Sequence, residues 1–324
     1  MTDRQHPLGS GFGARSTAGD VLAGIDLGGQ RAVVTGGHSG LGLETTRALA
    51  EAGADVIVAA RDTAAARSAT RGLARVTVAR LDLADLASVR RFASHYAGAG
   101  GKNGAAIDIL VNNAGVMACP ETRLGPGWDA HFAINHLGHF ALTNLVWPLL
   151  ADGARVVSVS SAGHHYSPAR WDDLHFEAGY DKWLAYAQSK TANALFAVHL
   201  DRLGRERGIR AFSVHPGKIF TPLLRHVGRD EMVAAGWIDR DGNPADPTFK
   251  SPAQGAATQV WAATSPLLAG LGGLYCEDCD VARRNDTAEA TLEGVKPYAT
   301  DEAAARRLWD LSAEMTGIGP GQSG

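Results

Sequence analysis

Cysteine is scarce in this chain. Its three copies, Cys119, Cys276 and Cys279, are too few and odd in number for a secreted disulfide framework, which fits a reducing compartment. Long apolar runs are missing too, since nothing approaches the roughly 20 residues that span a bilayer. The N-terminus, Met1-Thr-Asp-Arg-Gln-His-Pro7, lacks the charged-then-apolar order of a signal peptide. No charge excess exists: 31 basic against 34 acidic side chains leave a net −3, so neither nucleic acid nor an acidic membrane surface is an expected partner. Metal-ligand spacing is almost absent. Cys276-Glu-Asp-Cys279 has no second pair beside it, and four ligands are needed for structural zinc. His131, His136 and His139 read as solvated, core or interface histidines, and Cys119 has no base near it in sequence. A soluble cytoplasmic protein without an integral membrane segment or metal is expected.

What is present is a 324-residue chain with 45% apolar residues, enough for one large core. Residues 1–28 form a Gly-, Ser- and Ala-rich leader in which Ser16-Thr-Ala-Gly-Asp-Val-Leu22 predicts a short helix with a polar N-cap. Short β-branched runs then alternate with helix-length segments. Strands are predicted at Arg31–Thr35, Asp55–Ala59, Val76–Leu81, Ile107–Val111, Arg155–Val159 and Arg210–Val214. Helices are predicted at Leu41–Ala52, Leu86–Tyr96, Trp128–Leu150 and Tyr186–Arg207. The alternation predicts an α/β Rossmann-type doubly wound parallel sheet of about seven strands, as one catalytic domain over 29–300. The polar stretch Leu223–Ser251 reads as a substrate loop or lid. Residues 301–324 read as a helix with stripe Ala304, Leu308, Leu311, Met315, ended by Gly317, and a loose tail from Gly319.

Chemistry concentrates at strand ends. Thr35-Gly-Gly-His-Ser-Gly-Leu-Gly42 lies between a predicted strand and helix. There Gly36 permits the turn, Gly40 the approach of a pyrophosphate, and Gly42 helix–sheet packing, with the helix N-terminus facing phosphates. After the second strand, Ala60 stands where an acidic residue would bind NAD ribose, and Arg61 follows. A guanidinium suits a 2′-phosphate, so NADP(H) is expected, with NAD(H) open. Tyr186 and Lys190 sit one helical turn apart, and Ser161 ends a strand upstream. An ammonium on that face is expected to lower the tyrosine pKa from ~10 toward ~7, which suits proton transfer to a carbonyl oxygen.

Together with Asp82, Asn112-Asn-Ala-Gly115, His131-Phe-Ala-Ile-Asn-His-Leu-Gly138 and Pro216-Gly-Lys-Ile-Phe-Thr221, these motifs resemble the short-chain dehydrogenase/reductase family over residues 28–285. The Thr-Gly-x-x-x-Gly-x-Gly spacing differs from that of the extended, sugar-nucleotide branch. The likeness is strongest to retinol-dehydrogenase-like members, and the leader Phe12-Gly-Ala-Arg-Ser-Thr-Ala18 to chloroplast translocon-associated ones. The resemblance implies a catalytic set of Asn135, Ser161 (rather than Ser160 or Ser158), Tyr186 and Lys190, with Asn135 holding a water. It implies a cofactor set of Gly36, His38, Ser39, Gly40, Leu41 and Gly42; Arg61, Asp82 and Leu83; Asn113, Ala114 and Gly115; Tyr186 and Lys190; and Pro216, Gly217, Ile219 and Thr221. Ser39, after His38, occupies the place where NADP-dependent relatives often carry a basic residue. The implied substrates are apolar aldehydes, ketones or alcohols, held by Leu223–Ser251 and His164–Tyr180. A homodimer or homotetramer through the two long helices is open, as is a non-catalytic cofactor-binding sensor on the same fold.

Overall fold

The computed structural model describes residues 4–103, 106–287 and 291–319; the start of the leader and most of the C-terminal tail lie outside them. In chain order the main-sheet strands are β1 (Arg31–Thr35), β2 (Asp55–Ala60), β3 (Val76–Arg80), β4 (Ile107–Asn112), β5 (Leu150–Val159), β6 (Arg210–His215), β7 (Leu274–Glu277) and β8 (Asp280–Val281). They lie in the order β8-β7-β6-β5-β4-β1-β2-β3. Every pairing is parallel except the short β7–β8 edge. Seven strands thus form the parallel sheet that the sequence predicts, and an antiparallel edge strand makes the eighth. Strand order reverses between β1 and β4, and the crevice outside the carboxyl ends there is where such sheets take ligands. Central strands are buried on both faces, whereas edge strand β3 keeps exposed positions.

The helices are α1 (Ala18–Leu22), α2 (Gly40–Glu51), α3 (Thr63–Ala69), α4 (Leu86–Asn103), α5 (Gly138–Leu145), α6 (Lys182–Gly204), α7 (Arg229–Ala234), α8 (Pro252–Thr264) and α9 (Glu302–Thr316). One apolar layer joins α1, α2 and α8 to one face of the sheet; another joins α4, α5, α6 and α9 to the other. The leader is fastened down. Gln5 exchanges hydrogen bonds with the Tyr275 backbone, the Asp280 carboxylate accepts from the amides of Leu8, Gly9 and Ser10, and a Thr17/Asp20 capping box starts α1.

Two helices differ from expectation. The segment predicted as one helix over Trp128–Leu150 begins as a hairpin, Arg123–Leu124 against Trp128–Asp129. It continues as a π-helical stretch, Phe132–Leu137, and only then as α5. Pro148 ends it, and Leu150 already belongs to β5. A Cβ on Gly138 would stand 2.5 Å from the Leu83 carbonyl oxygen, so the helix lies against the chain leaving β3. The second helix starts at Lys182, not Tyr186, because Asp181 caps the amides of Trp183 and Leu184 at 2.8 and 2.9 Å.

In α9 the buried face is Ala305, Leu308, Trp309, Ser312 and Thr316; Ala304, Leu311 and Met315 of the predicted stripe are half-buried at its margin. The helix turns to seat Trp309, which stacks on Phe196 at 5.7 Å and meets Phe140 edge-on at 4.8 Å. It therefore packs on α6, one of the helices through which the resemblance implied a dimer. Trp309→Ala should cost about 3–5 kcal/mol, read as a lower urea midpoint at unchanged m-value.

Candidate active site

The carboxyl ends of the strands open into a cleft of about 1830 Å³. That exceeds the roughly 300–1,000 Å³ of an ordinary ligand pocket and leaves room for a dinucleotide with a substrate beside it. Of the catalytic and cofactor sets named from sequence, only Gly42 and Asn135 do not line it. Gly42 is needed behind the wall, where a Cβ would run into the Gly36 carbonyl oxygen and stand 2.6 Å from Asn113 Nδ2.

At the cleft floor β1 passes into α2. Gly40 has φ +52°, and its missing Cβ would lie 3.2 Å from Thr221 Cβ, so the turn and the chain after β6 close on each other. Ser39 makes no side-chain cap, which leaves the first amides of α2 turned to the cleft. Thr35 ties this turn to the next: its Oγ1 accepts the amides of Asn113 and Ala114 at 2.9 and 3.0 Å, and Asn113 Nδ2 donates to its carbonyl at 2.8 Å. At the rim, Arg61 is exposed, and Asp62 beside it caps α3. His38 Nδ1 is buried with no hydrogen-bond partner. Burial lowers the His38 pKa, against Asp62, which raises it. This set fits a dinucleotide phosphate end: free helix amides, a cradle that a side chain would fill, and an orphaned imidazole nitrogen and a guanidinium lining the same cleft.

Ser161 follows β5, accepts the Gly163 amide at 3.0 Å and acts to lower the pKa of Tyr186 beside it. Ser160, its neighbour, instead donates to the Lys190 carbonyl at 2.7 Å and holds α6 in place. Both serines line the cleft with Tyr186, but the Ser160 hydroxyl is taken up by the Lys190 backbone, and only that of Ser161 is turned to Tyr186. Lys190 Nζ donates to the Val159 carbonyl at 2.9 Å and lies 5.6 Å from the Tyr186 ring centre. The sequence predicts that Lys190 holds the tyrosine pKa down; the structure differs. Burial pushes Tyr186 up to about 12, with the Ser161 hydroxyl opposing, and brings Lys190 down to about 7. Desolvation of two groups in one apolar wall outweighs their mutual charge effect.

Asn135 sits in the π-helical stretch behind that wall. Its side chain accepts the Val116 amide at 2.8 Å and donates to the Val116 carbonyl at 3.0 Å and Ser189 Oγ at 2.9 Å. Its side chain thus clamps the strand-end turn. The side chain of His139, which the sequence does not single out for the site, completes the frame. Nδ1 bonds the Asn135 carbonyl at 2.9 Å and Nε2 bonds Thr35 Oγ1 at 2.9 Å, so the proton belongs on Nδ1. Burial lowers its pKa to about 4.

The side away from the glycine turn is apolar: Met117, Trp183, Leu223, Leu224, Trp237 and Phe249 line it. The predicted loop over 223–251 supplies several of these, but of His164–Tyr180 only Tyr166 lines the cleft. His164 is buried against Tyr275, and Tyr180 bonds the Cys119 carbonyl beneath the wall. The leader, which sequence reasoning left without a role, contributes Phe12, Ala14 and Arg15, and Arg15 ties down the carbonyls of Pro247 and Phe249 at 2.6 and 3.1 Å. Cys276 and Cys279 are buried around the β7–β8 turn; no group of three metal-ligating side chains occurs among the described residues. Nor is any described helix long and apolar enough to cross a membrane.

Comparison with known proteins agrees with this geometry. A family model described as short chain dehydrogenase matches residues 30–232. A probable oxidoreductase of Streptomyces lividans is 45% identical over 305 residues, covering 91% of this chain and all of the relative. Retinol dehydrogenase 11 of Homo sapiens is 36% identical over 310 residues, 93% of this chain and 90% of its own. A short chain dehydrogenase from Burkholderia cenocepacia, solved in complex with NADP, superposes with TM-score 0.60 at 25% identity, over 78% of this chain and 97% of that one. The chain belongs to the short-chain dehydrogenase family and is an oxidoreductase on its Rossmann fold.

Proposed function

We propose that the protein interconverts apolar aldehydes or ketones and their alcohols with NADP(H), Tyr186 serving as general acid in reduction and general base in oxidation. The observation that carries this reading is that Ser161, Tyr186 and Lys190 line the same cleft as the glycine turn. The nicotinamide supplies or accepts the hydride when bound. Ser161 hydrogen-bonds the substrate oxygen and stabilises its developing charge. Tyr186 donates its proton to that oxygen, and Lys190, in its charged form, stabilises the phenolate left behind. Asn135 and His139 keep the turn at Val116 in register with α6. Trp183, Trp237, Leu223 and Leu224 exclude water from the reacting carbon.

Support for an apolar substrate comes from that wall and from the retinol dehydrogenase likeness. Support for NADP(H) comes from Arg61 and the orphaned His38 nitrogen at the rim, from Ala60 standing where a carboxylate would favour NAD, and from the NADP-bound relative. The α9 packing on α6 favours a monomer over a dimer built through that helix.

The test is NADPH consumption against a panel of apolar aldehydes and ketones. Binding of NADPH with no turnover across the panel would leave a non-catalytic cofactor-binding protein instead. Arg61→Asp should lower the preference for NADPH over NADH by roughly 10- to 100-fold, the worth of charge-assisted bonds to one phosphate. An unchanged ratio would remove the NADP assignment.

A further inference from the structure

The cysteine that lacks a base nearby in sequence has one in space. After Cys119 the hairpin Arg123–Leu124/Trp128–Asp129 doubles the chain back and sets His131 over it, with Cys119 Sγ 3.2 Å from His131 Nε2. The Cys119 amide also donates to Nε2, at 3.3 Å, so the ring proton sits on Nδ1 and the Nε2 lone pair faces the thiol. On the other side of the ring, Tyr180 Oη lies 3.4 Å from Nδ1 and Asp129 Oδ2 lies 3.6 Å away. Asp129 is 1% exposed, and its Oδ1 caps the Phe132 amide at 3.0 Å. Its Oδ2 makes no hydrogen bond. A buried carboxylate oxygen with nothing to accept is costly unless it faces a cation part of the time. Here the group that faces it is the His131 ring.

We propose that Cys119, with His131 as its base and Asp129 behind it, is a covalent modification site for soft electrophiles of the α,β-unsaturated carbonyl class. The S–H proton passes to His131 Nε2, and the sulfur electron pair forms a C–S bond to the β-carbon. The C=C pair moves to the α-carbon, which takes the proton back from His131. The product is a saturated thioether, nothing is oxidised or reduced, and Asp129 carries the countercharge throughout.

Two further observations fit. Ala118, just before the cysteine, holds φ +50°, a strained conformation for a residue with a Cβ. Met117, which lines the cleft, and Ala118 share an apolar cluster with Tyr186 and Val227, so the segment before Cys119 borders the substrate side. Burial and Asp129 raise the Cys119 thiol, which stays protonated until the base acts. No such pair serves the other cysteines. Cys279 approaches only the Thr258 hydroxyl, burial holds it up to about 11, and Cys276 is raised further.

The experiment is alkylation of the full-length protein, without reduced cofactor, by trans-2-hexenal and separately by N-ethylmaleimide, read by intact mass and peptide mapping. Because it reads mass, it stands whether or not the chain reduces carbonyls. One adduct is expected, on Cys119, before any on Cys276 or Cys279; labelling only after unfolding, or first at the other two, overturns the proposal. His131→Gln should slow Cys119 labelling in the folded protein at least tenfold and leave its rate in urea unchanged. An equal folded-state rate overturns the role of the base. Should His131→Gln fail to fold, Asp129→Asn takes its place, with a severalfold slowing expected and an unchanged rate counting against the proposal.

Discussion

Tyr186→Phe should abolish carbonyl reduction and leave the cleft able to bind NADPH. Loss of a positioned general acid is worth roughly 10²–10⁴-fold in turnover. The ring itself is retained, which matters because it packs closely: a Cβ on Gly163 would lie 3.0 Å from Tyr186 Cε1. Fold and NADPH affinity should therefore survive, as read by circular dichroism and cofactor fluorescence. Turnover above a tenth of wild type would sink the assignment. The pH profile adds a second reading. Tyr186, pushed up to about 12, keeps its proton through the neutral range, so its own ionisation does not limit reduction. Lys190, brought down to about 7, loses its charge as pH rises through that value. A charged lysine near the ring favours the phenolate formed on proton donation, so reduction should slow as pH rises through about 7. Oxidation, which needs the phenolate, should be restored further by alkali.

That the glycine-turn segments would line one cleft was legible because they are short, local segments at strand ends. A glycine turn between strand and helix, Asn113-Ala-Gly115, and the chain after β6 each act through their own backbone, so local spacing suffices to read them. Ser161 over Ser160 was legible only by resemblance; the physical reason is that Ser160 is engaged with the Lys190 carbonyl. What stayed hidden depends on distant partners. The bonds of His139 to Thr35 and to the Asn135 carbonyl need β1 and the π-helical stretch brought together. The hairpin at Trp128 was masked because its two-residue strands carry no periodicity, and Trp128 reads equally well as a helix start. In α9 the true face was missed by about one position because Trp309, not the aliphatic stripe, is what the α5–α6 surface accepts.

The pKa directions at Tyr186 and Lys190 show the same limit. Spacing of four along a helix gives adjacency, and adjacency alone predicts that the ammonium lowers the phenol. Which effect wins depends on how deeply α6 is buried, and that is set by β5 and the turns above it. The leader shows the opposite case. Its composition assigns it no role, yet the Gln5, Asp280 and Arg15 bonds make it part of the cleft wall.

Acid should unfold this protein abruptly, through buried histidines that hold its turns and helices together. His136 donates to or accepts from Ser312 Oγ at 2.7 Å, His139 bridges Thr35 and Asn135, and His164 lies between the Ser161 carbonyl and the Lys296 amide. His215 accepts the Ala162 amide at 3.0 Å. Burial brings His136, His164 and His215 down to about 3 and His139 to about 4. The native state therefore keeps them neutral where the unfolded chain, near 6.5, binds protons. The unfolded state holds more protons below pH 6.5, so stability falls as pH falls, by about 1.4 kcal/mol per group per pH unit until the folded value is reached. Glu277 acts oppositely. Burial raises it to about 7, so the native state binds its proton first and gains stability over the same range. Four histidines against one glutamate leave a net loss of about 3–4 kcal/mol between pH 7 and 5.5. That is a large part of the ~5–15 kcal/mol a folded domain has to lose. Urea titrations at the two pH values should show the midpoint falling at constant m-value. His136→Gln, which binds no proton in either state, should make the net fall shallower by about a third. A midpoint that does not move with pH would mean that these histidines are protonated in the folded protein and that the hydrogen-bond assignments around His139 are wrong.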